Sequence, residues 1–98
     1  MIEVVLPTPL YRLAKISGPV LVELKGEVTQ RALLGEVESR YPMLRGTMRD
    51  PHSGRRRAYV RFFACKRDLS DASPDEPLPA AVVSGEEPFL VVGALSGG

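Results

Sequence analysis

The residues best suited to chemistry close the sequence as Ser96-Gly97-Gly98. Glycine carries no Cβ, so such a pair reaches φ/ψ values closed to other residues and can thread a narrow channel into another protein's active site. The carboxylate at its tip is a poor acyl donor, because attack would have to expel an oxide; a partner must first turn that oxygen into a leaving group. Chance places glycine at two given positions in roughly half a percent of chains, from a background of about 7% each. The plain alternative is a frayed end with no role.

The other reactive side chains stand apart. His52 is the only histidine and lies in Asp50-Pro51-His52-Ser53-Gly54, a turn composition that makes it a surface residue rather than a metal ligand or base. Cys65 is alone, which excludes an intramolecular disulfide and a multi-cysteine metal site within one chain. No His or Asp partner marks it as a nucleophile, so it reads as a packing residue. Arg55-Arg56-Arg57 reads as a solvated run beside a turn; docking an acidic partner is its better functional use, ahead of nucleic acid.

Composition narrows the classes. With 98 residues the chain forms one domain with a modest core and little room for an elaborate catalytic cleft, so function through a partner is expected. A formal net charge of +1 is far from that of a dedicated nucleic-acid binder. Ten of the 13 basic residues are Arg, a bias of composition rather than mechanism. There is neither a basic leader with an apolar core nor a membrane-length apolar run of about 18 residues, so a cytoplasmic protein without a membrane role is expected.

The elements that must position the tail follow from periodicity. Residues 2–6 alternate, with Ile2, Val4 and Leu6 on one face, and end at Pro7 and Pro9. Residues 10–16 have no clear form. Ser17-Gly18 is a turn, and residues 20–24 supply a second strand ended by Gly26, suggesting a hairpin with the first. Thr29 is an N-cap candidate for a helix carrying Ala32, Leu33, Val37 and Tyr41 at helical spacing, closed at Tyr41 by Pro42; Gly35 within it permits close packing on a sheet. Residues 55–64 rise into a strand with Val60, Phe62 and Ala64 inward and Tyr59, Arg61 and Phe63 outward. Residues 68–79 lack periodicity and read as a surface loop, and residues 78–83 as a short turn or helix broken by Ser84-Gly85. Residues 89–92 form a continuous apolar strand, buried on both faces and central, that leads into the tail. The order gives an α+β domain with one main helix across a mixed sheet.

With that order and the diglycine together, the chain resembles the β-grasp, ubiquitin-like sulfur carriers of the MoaD/ThiS family over most of its length. The residues that carry the likeness are Val5-Leu6-Pro7-Thr8-Pro9-Leu10, the helix start at Thr29, Glu38-Ser39-Arg40-Tyr41-Pro42-Met43-Leu44-Arg45 and Ser96-Gly97-Gly98. The middle, Met48-Arg49-Asp50-Pro51 through Tyr59-Val60-Arg61-Phe62-Phe63, is similar to the CysO branch, which supplies sulfur for cysteine synthesis. Three features depart from the pattern, the first being that residues 68–79 are longer than is usual. Cys65-Lys66-Arg67 stands where an Asn-Gly or Asn-Asp turn is usual, and Gly85-Glu86-Glu87-Pro88 replaces a Gly-Asp-Glu-Val approach to the last strand, with one extra residue before the tail.

The resemblance implies a single β-grasp domain over residues 1–98, with residues 95–98 as its functional tail. It implies that an E1-like adenylating enzyme uses ATP to activate Gly98, that a sulfur donor converts the acyl-adenylate to a thiocarboxylate, and that a sulfur-accepting synthase takes the cargo. Similar carriers serve molybdopterin, thiamine and cysteine biosynthesis, so the resemblance leaves the acceptor open among them. The chain is then no enzyme, binds no cofactor or metal, and threads Leu95, Ser96 and Gly97 into its partners. Recognition falls to the sheet face opposite the helix, through Tyr59, Arg61 and Phe63, unless loops cover these rings as core. Two alternatives stand beside the carrier: a modifier joined through Gly98 to lysines of target proteins, and a passive β-grasp binding module.

Overall fold

The structure, a computed structural model, describes residues 1–93. Nine elements follow in order: β1 (Ile2–Val5), α1 (Thr8–Ala14), β2 (Val20–Val22), α2 (Gln30–Arg40), a 3₁₀ turn (Pro42–Leu44), β3 (Val60–Ala64), β4 (Arg67–Asp68), α3 (Ala80–Ser84) and β5 (Phe89–Gly93). The five strands form one sheet in the order β2-β1-β5-β3-β4. β5 runs parallel to β1 and antiparallel to β3, so the last strand takes the centre of a mixed sheet. Its central place matches the expectation from its apolar composition.

Alternation fixes which side of the sheet is the core. Ile2 and Val4 of β1, Val20 and Val22 of β2, Val60, Phe62 and Ala64 of β3, and Phe89 and Val91 of β5 all point to one buried face. Against it α2 lays Leu33, Leu34 and Val37, and Leu44, Met48 and Val82 close the edges. The rings of Phe62 and Phe89 meet at 5.4 Å, tilted by 36°, the offset geometry aromatic pairs prefer. Thr29 caps α2 by accepting a hydrogen bond from Ala32 N–H at 3.1 Å on Oγ1. The helix ends at Tyr41, before Pro42.

Several expectations change in detail. The unassigned stretch after Pro9 is α1: proline is tolerated in a first helical turn, and Lys15 in the left-handed region (φ 59°) closes it. The β1–β2 pair is antiparallel, as expected of a hairpin, but α1 fills its connection and β2 ends at Val22. Gly35 does not meet the sheet; a Cβ there would touch only the Arg49 guanidinium, at 3.7 Å. In α2 it is Leu34, not Ala32, that reaches the core. β5 is buried on one face only, since Val92 is 47% exposed. Pro88 costs no ladder bond because it precedes the strand.

Residues 68–79 are more than a surface loop. Leu69 N–H donates to the Phe62 carbonyl at 2.7 Å, and the buried Ser70 hydroxyl accepts from Phe62 N–H at 2.9 Å. Farther on, Arg31 N–H donates to the Pro74 carbonyl at 3.0 Å, and Leu78 N–H to the Val28 carbonyl at 2.9 Å. The segment therefore straps β3 to the first turn of α2.

The β3–β4 connection has only two residues, Cys65 and Lys66, between the pairs Ala64–Arg67 and Phe63–Asp68. Both take positive φ, 53° and 62°, the pairing of a type I′ hairpin turn that favours Asn-Gly. Neither residue is suited to that region, which costs an L-residue roughly 1 kcal/mol. Lys66→Gly is therefore expected to raise stability by about 0.5–1 kcal/mol in urea unfolding. A lower midpoint at unchanged slope would contradict the strained-turn account.

Candidate partner-docking face

The face of the sheet turned away from α2 is laid down by the other half of the alternation. On β3 these positions are Arg61, exposed, and Phe63, half-buried; Tyr59, of the same parity just before the strand, is 45% exposed. The register sets Arg61 beside Val92 and Phe63 beside Leu90, while Val5 of β1 faces Leu90 from the other side. Tyr59, Phe63, Leu90, Val92 and Val5 thus form an apolar strip across three strands, with Leu21, 51% exposed, farther out on β2. Tyr59 is exposed and Phe63 half-buried, so neither ring is part of the buried core. Aromatic residues with an arginine on a flat, partly apolar surface are the composition of a protein-binding patch.

Arg61 is held at the rim by Asp68, Nη1 to Oδ2 at 3.2 Å. The Ser70 hydroxyl and N–H, with a smaller contribution from Arg61, keep the Asp68 carboxyl below its ordinary value. Two other carboxyls are lowered likewise: Asp50 by the N–H groups of Ser53 and His52, each at 2.8 Å, and Asp75 by its paired hydrogen bonds from Arg31. A depressed folded-state pKa contributes stability that is present above the ordinary value and lost as pH falls through the depressed one. The unfolding midpoint is thus expected to drop on acidification below about pH 4. Asp50→Asn keeps both N–H contacts and should flatten that acid slope; an unchanged slope would remove Asp50 from the account.

The arginine run departs from its reading as a solvated patch. Arg56 Nη1 donates to the carbonyls of Val60 at 2.7 Å and Arg57 at 3.1 Å, and its Nε to the Ser70 carbonyl at 3.1 Å. Arg57 Nε donates to the Gly46 carbonyl at 2.9 Å. Two of the three guanidiniums therefore tie loops together, and only Arg55 has no side-chain partner among the described residues. Arg49 behaves similarly, with a paired contact to Glu38 at 2.9 and 3.0 Å. Sequence reasoning missed these roles because nothing in composition separates an arginine that binds carbonyls from one in water.

His52 is an exposed turn residue, as expected, and Cys65 is a half-buried free thiol in the β3–β4 turn. Among the described residues no cluster of His, Cys, Asp and Glu could hold a metal ion, and no helix is long and apolar enough to cross a membrane. Leu95, Ser96, Gly97 and Gly98 lie outside the described residues. What the structure places is their point of departure: β5 reaches Gly93, paired with Val60, at the Tyr59 end of the apolar strip.

No family model matches the sequence, and no curated protein does. Solved structures do match in shape. Small archaeal modifier protein SAMP1 from Haloferax volcanii superposes with a TM-score of 0.73 at 21% identity, covering 98% of this chain and 97% of that one. A second crystal structure of H. volcanii small archaeal modifier protein 1 gives 0.69 at 19% identity, over 91% of each chain. A chain of the Amycolatopsis orientalis BexX/CysO complex gives 0.73 at 17% identity, with both chains covered completely, 100% of each. Strand order, the central last strand and these superpositions agree: the chain has a ubiquitin-like β-grasp fold.

Proposed function

We propose that the protein is a sulfur carrier, a co-substrate of partner enzymes rather than an enzyme. The observation that carries this reading is the position of β5. The strand that ends five residues short of Gly98 is the central one, held on both sides by β1 and β3. A diglycine issuing from the middle of a rigid sheet can enter a partner's active site while the domain stays docked through its flat face.

The chemistry runs on Gly98 with ATP consumed by an E1-like adenylating partner. A carboxylate oxygen attacks the α-phosphate, pyrophosphate leaves, and an acyl-adenylate forms. Hydrosulfide, or a persulfide followed by a thiol that reduces the acyl disulfide, attacks the acyl carbon and AMP leaves with the bond pair. The thiocarboxylate is then delivered to the acceptor of a synthase. Tyr59, Arg61 and Phe63 are the docking residues in this reading, and Leu95, Ser96 and Gly97 the threading ones.

The test is mass spectrometry of the tryptic peptide following Arg67, residues 68–98, which contains neither Met nor Cys. After incubation with ATP, an adenylating enzyme and sulfide, sulfur should replace one oxygen at Gly98. An unchanged peptide with demonstrably active enzyme would reject the carrier. The likeness to small archaeal modifier protein 1 favours a second reading, attachment of activated Gly98 to lysine amines. Protein adducts that vanish when Gly98 is removed, without thiocarboxylate, would establish that one instead.

A further inference from the structure

The chain is nearly neutral, yet its charges are sorted between the two ends of the sheet. β5 runs three residues past Leu90, the partner of Val5, and leaves the sheet at the end where β1 gives way to α1. The same end is built by residues 15–19, which lead into Val20 opposite Val4, and by the end of α2 with the 3₁₀ turn that packs on α1. Residues 57–60 join them, since Val60 is the partner of Gly93. Residues 7–20, 39–48 and 57–60 hold Arg12, Lys15, Arg40, Arg45 and Arg57 and not one carboxylate. The acidic side chains gather at the other end: Glu23 just past Val22, the partner of Ile2, with Glu27, then Asp75 and Glu76 in the strap, and Glu86 and Glu87 before β5. Such sorting creates a field that a net charge of +1 conceals.

Two of the five cations at the exit end are engaged within the fold. Arg40 donates to Glu36 at 3.2 Å and to the Leu21 carbonyl at 2.6 Å; Arg57 donates to the Gly46 carbonyl at 2.9 Å and lies 3.8 Å from Asp50. Arg12, Lys15 and Arg45 are exposed and make no ion pair or side-chain hydrogen bond among the described residues. The dipole of α1 favours a cation at its end, which accounts in part for Arg12 and Lys15. It accounts neither for Arg45 nor for the missing carboxylates.

The five residues beyond Gly93 span at most about 17 Å, so an enzyme acting on Gly98 must bring the mouth of its channel against this end of the sheet. Residues 94–98 include no cation of their own. Salt confines the reach of exposed charges to about 8–10 Å. In a domain at least 26 Å across, that range takes in the collar around the exit and leaves out the acidic end. We propose that the adenylating partner carries acidic side chains around this mouth, which Arg12, Lys15 and Arg45 meet to turn the domain tail-first. The inference rests on the reading that Gly98 is activated, and it holds for a carrier and a modifier alike. Exposed charges of this kind act on the encounter rate more than on the finished contact.

The test measures ATP–pyrophosphate exchange by the adenylating enzyme against the concentration of the whole protein, at about 0.05 and 0.3 M salt. Arg12→Glu, Lys15→Glu and Arg45→Glu combined should lower kcat/KM about thirtyfold at the lower salt, through KM with kcat unchanged, and the deficit should shrink at the higher salt. Lys25→Glu, Lys66→Glu and Arg67→Glu combined change the net charge equally from the opposite end and should stay within about threefold of the parent. All six side chains are exposed, so the unfolding midpoints of both variants, measured in parallel, should match the parent's. No exchange with the parent would reject activation of Gly98, and this inference with it. Exchange with the parent but an equal fall in both variants, or an unchanged KM in the first, would overturn the acidic rim and leave activation of Gly98 standing.

Discussion

Removing Gly97 and Gly98 is expected to abolish thiocarboxylate formation while leaving the domain folded. The two outcomes separate because the ladder that anchors the last strand, to β1 and β3, is complete by Gly93. A chain ending at Ser96 presents its carboxylate two residues short, up to about 7 Å from the adenylating site. Misplacement by even 1 Å can cost about a hundredfold in such a reaction. Pyrophosphate release measured with the adenylating enzyme should fall to background, and the urea midpoint should stay within about 0.5 kcal/mol of the parent. Undiminished pyrophosphate release from the shortened chain would show that the diglycine is not what the enzyme activates.

The second large effect lies in the core. Phe62→Ala should destabilise the domain by about 3–5 kcal/mol, because the ring is fully buried and packs on Phe89 of the neighbouring central strand. That is a large share of the total for a small domain, about 5–15 kcal/mol. One residue later the sign of the experiment reverses. Phe63 points to the open face, half-buried, so Phe63→Ala should cost only about 1 kcal/mol in unfolding and instead weaken partner binding. Equal destabilisation by the two substitutions would mean that the outer face is packed, and the docking surface would have to lie elsewhere.

The contrast between Phe62 and Phe63 shows what is legible in the sequence. Strict alternation in β3 and the apolar run at 89–92 were enough to place a core face and a central final strand, since a pleated strand sends neighbours to opposite sides. Thr29 and Pro42 bounded α2 because a cap and a helix-breaking proline act locally. α1 was hidden by Pro7 and Pro9, which end a strand and begin a helix with the same residue type. The β3–β4 turn was hidden for a related reason: Cys65-Lys66 adopts a geometry that neither residue advertises. The strap over 68–79, and the arginines that hold carbonyls, depend on groups far apart in sequence, and periodicity says nothing of those. Of the candidate site, the Tyr59–Arg61–Phe63 parity was readable; its extension through Leu90, Val92 and Val5 required the register.

The place of β5 between β1 and β3 also fixes when the domain can come into being. β1 and β2 can pair early, and β3 and β4 can form their own hairpin, but each of these pairs keeps an unpaired edge until residues 89–93 arrive between them. During synthesis the sheet therefore stays in two halves until its last strand leaves the ribosome, and closure must join segments more than 80 residues apart, such as Val4 and Phe89. Such non-local closure is slow, and open edges are sticky meanwhile. A chain broken off before Phe89 lacks the strand that joins the two halves, so the five-stranded sheet depends on residues 89–93.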